Sequence, residues 1–360
     1  MKRSIFFGIL WPFMLLWGCE EESGGKGGIF SGSGNAESWS IPVDEVFDGG
    51  PGKDGILALT EPAFIPAGAA DYLSDDELVI GFVHGDEARA YPHQILDWHE
   101  IINDRVGDVN ISLTYCPLTG TGIGWNREID GEVTTFGVSG LLYNSNLIPY
   151  DRKTDSNWSQ IRLDCVNGEL RGKEVETFPV IETTWKTWKE MYPSSTVVSQ
   201  ETGHERNYGR YPYGNYRTAH DYLIFPVAIE DDRFQNKQRV LGIVLSGNAR
   251  VYSFAGFGDK VTVIIDKLNE RDLVVAGNKE DNFMVSYFND PGDGSTLSFS
   301  AVQGQYPLVM TDDEGNMWDV SGRAVAGPRK DARLSPVSSF MGYWFSFAAF
   351  YPNLTIYSDS

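Results

Sequence analysis

The chain has 360 residues, with 29 Lys and Arg against 50 Asp and Glu, a formal net charge of −21. A surface this acidic repels phosphate backbones, which argues against nucleic acid as a partner. The length suits one large domain or two of medium size, and 41% apolar with 13% aromatic residues describes a folded chain, not a disordered one.

Lys2 and Arg3 precede an apolar run, residues 5–16, that is too short to span a bilayer comfortably. Leu16-Trp17-Gly18-Cys19 then resembles a bacterial lipobox, in which a small residue precedes a Cys that is lipidated and becomes the mature N-terminus; Trp17 is bulkier than usual there. Residues 1–18 therefore read as a lipoprotein signal peptide and Cys19 as the lipidation site, with an ordinary secretory signal or a membrane anchor as the alternative. The expected location is the cell envelope, at the outer membrane, on its periplasmic face or at the surface. The lipid alone would hold the acidic chain there. Residues 19–38 begin Cys19-Glu20-Glu21-Glu22 and continue Gly/Ser-rich. Such a composition buries little apolar area and should form a flexible acidic tether.

Strand signals dominate beyond the tether. Residues 77–83 and 87–91 flank His84-Gly85-Asp86 and read as a hairpin; residues 109–115 form a strand pattern ending at Cys116-Pro117. Residues 122–127 and 133–138 flank Asp130-Gly131, a second hairpin signal. Helical pattern is sparse. Residues 184–191 place Trp185, Trp188 and Met191 on one face before Pro193, and residues 92–98 suit a second short helix. Strand patterns return at residues 239–244, 250–254, 273–276 and 283–288.

These later strands repeat the earlier grammar. Val79-Ile80-Gly81-Phe82-Val83 and Ala88-Arg89-Ala90-Tyr91 correspond to Val240-Leu241-Gly242-Ile243-Val244 and Ala249-Arg250-Val251-Tyr252, 161 residues later. Trp158 corresponds to Trp318, Trp185 to Trp344, and Tyr192-Pro193 to Tyr351-Pro352, at nearly the same offset. The expected fold is mainly β, a β-rich α+β architecture. Two similar β-rich modules from an internal duplication would pack together, with a few short helices at the periphery. The first module covers residues 39–202. A Tyr/Arg-rich connector and the second module cover residues 203–360. His93, His99 and Cys116 fall in the first module, and the second, degenerate copy has no counterpart to them.

Three runs carry a resemblance: Ala88-Arg89-Ala90-Tyr91-Pro92, Trp98-His99-Glu100-Ile101-Ile102-Asn103-Asp104, and Thr114-Tyr115-Cys116-Pro117-Leu118. Gly137-Val138-Ser139-Gly140, Tyr150-Asp151-Arg152 and Trp158-Ser159-Gln160 extend it. The chain resembles the bacterial and archaeal domain-of-unknown-function family 3179 over residues 49–244, and more weakly beyond. The resemblance implies no activity. Many members look like Cys-Pro-Leu-Cys where this chain has Cys116-Pro117-Leu118-Thr119, so chemistry that needs a vicinal dithiol is in doubt here.

The candidate site centres on Cys116, His99 and Glu100 as catalytic residues. If His99 opens one strand and Cys116 closes the next, antiparallel pairing brings both to one sheet end. An imidazole beside a thiol favours the thiolate, and a carboxylate could orient the imidazole. Cys116, His99 and His93 would equally suit a transition metal, zinc or copper. The third reading is structural, with His99 a satisfied core histidine and Cys116 a small buried hydrophobe. Cys116 and Cys165 fit either a disulfide or two free thiols. His93, Tyr115, Tyr150, Asp151, Arg152 and Trp158 are candidate ligand-binding residues, for a small molecule or an envelope partner such as a glycan, peptide or protein. The alternative for Asp151 and Arg152 is a pair that fixes a loop, and for Trp158 a packing role.

Overall fold

The computed structural model describes residues 38–358; the expected signal peptide, Cys19 and nearly all of the tether lie outside them. Strands dominate, with three short α-helices among the described residues: α1 (His93–His99), α2 (Trp185–Met191) and α3 (Trp344–Phe350). The mainly β expectation holds. None of the described helices is long and apolar enough to cross a membrane.

The first expected hairpin is present as Leu78–His84 paired with Glu87–Pro92, and Val109–Cys116 is the expected strand. The second hairpin is redrawn. Asp130-Gly131 turns only a two-residue pair, Glu128–Ile129 against Glu132–Val133. Thr121–Asn126 pairs back onto Val109–Cys116, whereas Phe136–Tyr143 leaves for another sheet and pairs with Asn146–Asp151. A turn signal fixes the local reversal; which sheet each flank joins is decided by long-range packing.

Sheet order recurs between the halves. Ile181–Thr184, Leu78–His84, Glu87–Pro92 and Thr196–Val198 lie side by side in the first half, the last pair parallel; Ser339–Tyr343, Arg239–Leu245, Asn248–Ser253 and Thr355–Ile356 lie in the same order in the second, again with the last pair parallel. Side-chain detail recurs with it. Arg89 and Tyr91 hold Asp104 at 2.7–2.8 Å, and Arg250 and Tyr252 hold Asp266 at 2.5–2.8 Å. Trp158 Nε1 donates to Asp151 at 3.1 Å, and Trp318 Nε1 to Asp312 at 2.8 Å.

The halves share their core. One buried cluster joins Trp125, Phe136 and Trp158 to Val240, Phe340 and Trp344; another joins Val79 and Trp188 to Val274 and Trp318. Helices α2 and α3 sit on a glycine in each half. A Cβ on Gly81 would lie 1.9 Å from the Trp188 ring, and one on Gly242 would lie 2.0 Å from Phe347. Close-packed interiors cannot absorb such an overlap without moving a helix. Gly81→Ala should therefore lower stability by about 2–3 kcal/mol. Urea unfolding read by tryptophan fluorescence would measure this, and an unchanged midpoint would mean that α2 is not seated against this strand.

Candidate functional site

One element distinguishes the first half. After Glu87–Pro92 the chain enters α1, whereas the second half has only the three-residue 3-10 turn Phe254–Gly256 at the matching place. Pro92, extended at φ −67° and ψ 139°, caps the start of α1. Glu100 ends it with a left-handed φ of 57°, its N–H donating to Leu96 O at 2.7 Å. Glycine or asparagine usually takes this position, so a glutamate held there carries roughly 1–2 kcal/mol of backbone strain. Such strain tends to persist where the surroundings over-determine it, often at functional sites.

The antiparallel pairing of Ile101–Val106 with Val109–Cys116 is as expected, but it brings Glu100, not His99, to the end of the Cys116 strand: Tyr115 N–H donates to Glu100 O at 2.6 Å. His99 is the last residue of α1 and turns the other way. Its Nδ1–H donates to Leu57 O at 2.7 Å, and its Nε2 accepts from Tyr208 O–H at 2.7 Å. Burial, aided by His204 and Arg206, lowers its pKa to about 4, so the ring is neutral and fully engaged. This matches the structural reading of His99. The Cys116–His99 pair and the Cys116, His99, His93 metal set are not assembled, and among the described residues no group of three or more His, Cys, Asp or Glu side chains could hold a metal ion.

Cys116 is buried beside Glu100. Burial first, then the neighbouring carboxylate, pushes its thiol up to about 11, the opposite of a thiolate nucleophile. Cys165 is likewise free and buried, so no disulfide joins the two. The Tyr150-Asp151-Arg152 group makes structural contacts, Asp151 within its own loop and Tyr150 and Arg152 to the distant Asp54 segment. Arg152 donates to Asp54 at 2.8 Å, the Tyr150 hydroxyl also bonds Asp54, and Asp151 accepts from Thr154 and Trp158.

The remaining polar side chains of α1 meet partners that lie far away in sequence. Asp97, 4% exposed, accepts from Arg217 Nη2 at 2.5 and 2.6 Å. Burial still pushes its carboxyl up, to about 7. His93 Nδ1 faces the Tyr115 hydroxyl at 3.3 Å, and His93 Nε2 lies 3.3 Å from Glu182 Oε2, close but without hydrogen-bond alignment. Glu182, 4% exposed, is bound by Arg239 from the first strand of the second half. Burial, then Arg239 and Arg217, keep His93 neutral.

Of these groups, His93, Tyr115, Arg217 and Arg239 line a cavity of about 410 Å³ between the halves and the connector. Its lining carries the donors Arg217, Lys237, Arg239, Tyr115 and Tyr343 and the His93 and His220 rings, together with the carboxylates Asp76 and Glu77. Lys237 is buried, its ammonium bonded to the carbonyls of Ala219 and Tyr222, and burial lowers its pKa to about 8. Arg239 Nε is buried with no hydrogen-bond partner among the described residues.

Of the sequence candidates, the structure places His93 and Tyr115 on this cavity, leaves Glu100 and Cys116 behind α1, and sends His99, Tyr150, Asp151, Arg152 and Trp158 to structural contacts. Glu182, Lys237 and Arg239 were missed, and Asp97 and Arg217 were not among the candidate site residues. Glu182 had a signal: it interrupts a strand whose second-half counterpart carries Met341 at the matching register.

A model of the family described as Protein of unknown function (DUF3179) matches residues 53–354. The chain belongs to this family. No curated protein and no solved structure is significantly similar to it.

Proposed function

We propose that the chain is a binding protein of the bacterial cell envelope, carried on lipid at Cys19, whose cavity between the halves takes a small, acceptor-rich anion such as a carboxylate or phosphate. The observation that carries this reading is the buried Arg239 Nε without a partner among the described residues, on a lining where the three cations Arg217, Lys237 and Arg239 outnumber the two carboxylates Asp76 and Glu77. Buried polar groups are normally satisfied, so an orphaned guanidinium nitrogen at a cavity is a natural place for a ligand oxygen. Few convergent polar groups in a cavity of this size suit a small molecule. The repeated sheet order supports reading the halves as copies of one module, with the second as scaffold.

Metal or thiol chemistry at Cys116 and His99 has less support. A metal there would require His99 to leave both its partners, and a nucleophilic Cys116 would require a thiolate that its surroundings oppose.

Calorimetric titration of the full-length protein with inorganic phosphate, acetate and succinate tests the proposal, with glucose as the neutral comparator. One site per chain should take an anion and not glucose. Lys237→Met should weaken binding at least about tenfold, as loss of one charge-assisted contact does. Affinity should hold below pH 8 and fall above it, because the Lys237 ammonium is lost there. Binding of no anion, or binding indifferent to both Lys237→Met and pH, rejects the reading.

A further inference from the structure

On the other side of Asp97 lies a second cavity, of about 320 Å³, that the anion site does not use. Its wall is apolar: Leu118 follows the Cys116 strand, Val138, Leu142 and Leu147 come from the hairpin of residues 136–151, and Phe225 comes from the connector. Among the described residues, Asp97 and Glu100 are the only carboxyls on this wall. They are not equivalent. Asp97 is neutralised by Arg217, whose guanidinium faces the first cavity. Glu100 has no cation among the described residues: its partner is the Tyr213 hydroxyl, and it is 7% exposed, toward this cavity.

An apolar chamber of this size accommodates a compact hydrocarbon body, and burying that body drives binding. The uncompensated carboxyl fixes which polar end belongs there. A ligand carboxylate would face two acids, a neutral ligand would leave Glu100 protonated and gain no ion pair, and an ammonium supplies the charge that Arg217 supplies to Asp97. Glu100, with its left-handed backbone at the end of α1, stands on this wall. We propose that this second cavity is a binding site for a small hydrophobic amine, with its ammonium paired to Glu100 and its hydrocarbon against Val138, Leu142 and Leu147.

Binding then moves a proton. In the empty site burial raises the Glu100 pKa to about 8, so at pH 7 the carboxyl is mostly protonated. An incoming ammonium keeps its own proton, the Glu100 O–H bond breaks, and that proton passes to the buffer as the carboxylate–ammonium pair forms.

The experiment is calorimetry on the full-length protein at pH 7 in two buffers of different ionisation enthalpy, with hexylamine, 1-hexanol and hexanoate as probes. Hexylamine should bind more than about tenfold tighter than 1-hexanol, the least a desolvated ion pair should contribute. It should release close to one proton per site, and 1-hexanol none. Glu100→Gln should bring hexylamine down to the affinity of 1-hexanol and abolish the proton release. Leu141→Trp, at a half-exposed residue of the same wall, should block both probes. The wild-type comparison stands without either variant. Hexylamine no tighter than 1-hexanol, no proton release, hexanoate bound as well as the amine, or no saturable binding of any probe overturns the proposal. Since the anion site is a separate cavity, phosphate binding should be unchanged in Glu100→Gln, so failure of one proposal does not carry the other.

Discussion

Arg239→Met should destabilise the protein by about 3–5 kcal/mol, and Glu182→Met added to it should restore most of that loss. Glu182 sits on the strand Ile181–Thr184, paired across to Ile80, with almost no exposure. Its one cationic partner among the described residues is Arg239. Removing the guanidinium leaves a buried carboxylate facing the neutral His93 ring at 3.3 Å, without alignment. An isolated buried charge is far more costly than the paired ions, whereas replacing both ions by apolar groups is often neutral or better. The second half already carries the apolar solution, since Met341 takes the matching register there. His93 adds a sign. Losing Arg239 removes a cation that holds its pKa down, and the ring can then protonate beside Glu182. The penalty in Arg239→Met should therefore be smaller at pH 5 than at pH 8. Urea unfolding of the two variants at both pH values measures this. A single variant as stable as wild type, or a double variant no better than the single, would show that the pair does not hold the halves together.

The contrast between the halves was legible in the sequence, and so was the local grammar of strand and turn. The hairpin at residues 78–92 could be read because alternation and a Gly-containing turn act over a few residues. The partition of Thr121–Asn126 and Phe136–Tyr143 into different sheets could not, because Asp130-Gly131 gives the same signal in either case. At the site, attention to α1 was well placed, but the pairing of His99 with Cys116 was not. The reason is that α1 runs through His99 and ends at Glu100, whose left-handed φ a non-glycine residue seldom adopts, so the strand beside Val109–Cys116 begins only at Ile101. Asp97 and Arg217 are 120 residues apart, and Glu182 and Arg239 are 57 apart, so no local spacing marks either pair. For Glu182 and Arg239 the only trace is comparative: a charged residue in one half where the other half keeps a hydrophobe, Met341 and Leu78. Such asymmetry locates a site better than His and Cys counting, since burying an ion without need is selected against by its own cost.

The same physics predicts a pH dependence that opposes the usual one. Glu100 has an ordinary pKa of 4.5 when unfolded and about 8 in the folded chain, raised first by burial, against the hydrogen bond from Tyr213. The folded state therefore binds the Glu100 proton more tightly than the unfolded state does. Its contribution is fully present below pH 4.5, declines as pH rises through the interval, and is gone above about 8. The full swing is on the order of 4 kcal/mol. Asp97, raised to about 7, adds a loss of the same sign over a lower window. Most proteins gain stability from carboxylates whose pKa is depressed, and so lose it on acidification. Here two buried acids on the α1 segment reverse that sign above pH 5. Glu100→Gln keeps the shape and the hydrogen-bonding capacity of the protonated acid but cannot ionise. It carries the same strained backbone at every pH, so any offset it introduces is constant, and only the slope changes. Denaturant unfolding between pH 5 and pH 9 should show wild type losing stability with rising pH and Glu100→Gln losing markedly less. The remaining slope is that of Asp97, countered below about pH 6.5 by His99 and His93 and above pH 8 by Lys237, whose lowered pKa values act in the opposite direction. Parallel curves for the two proteins would mean that Glu100 ionises as readily in the folded chain as in water, and would remove the buried acid on which the second cavity's preference for an amine rests.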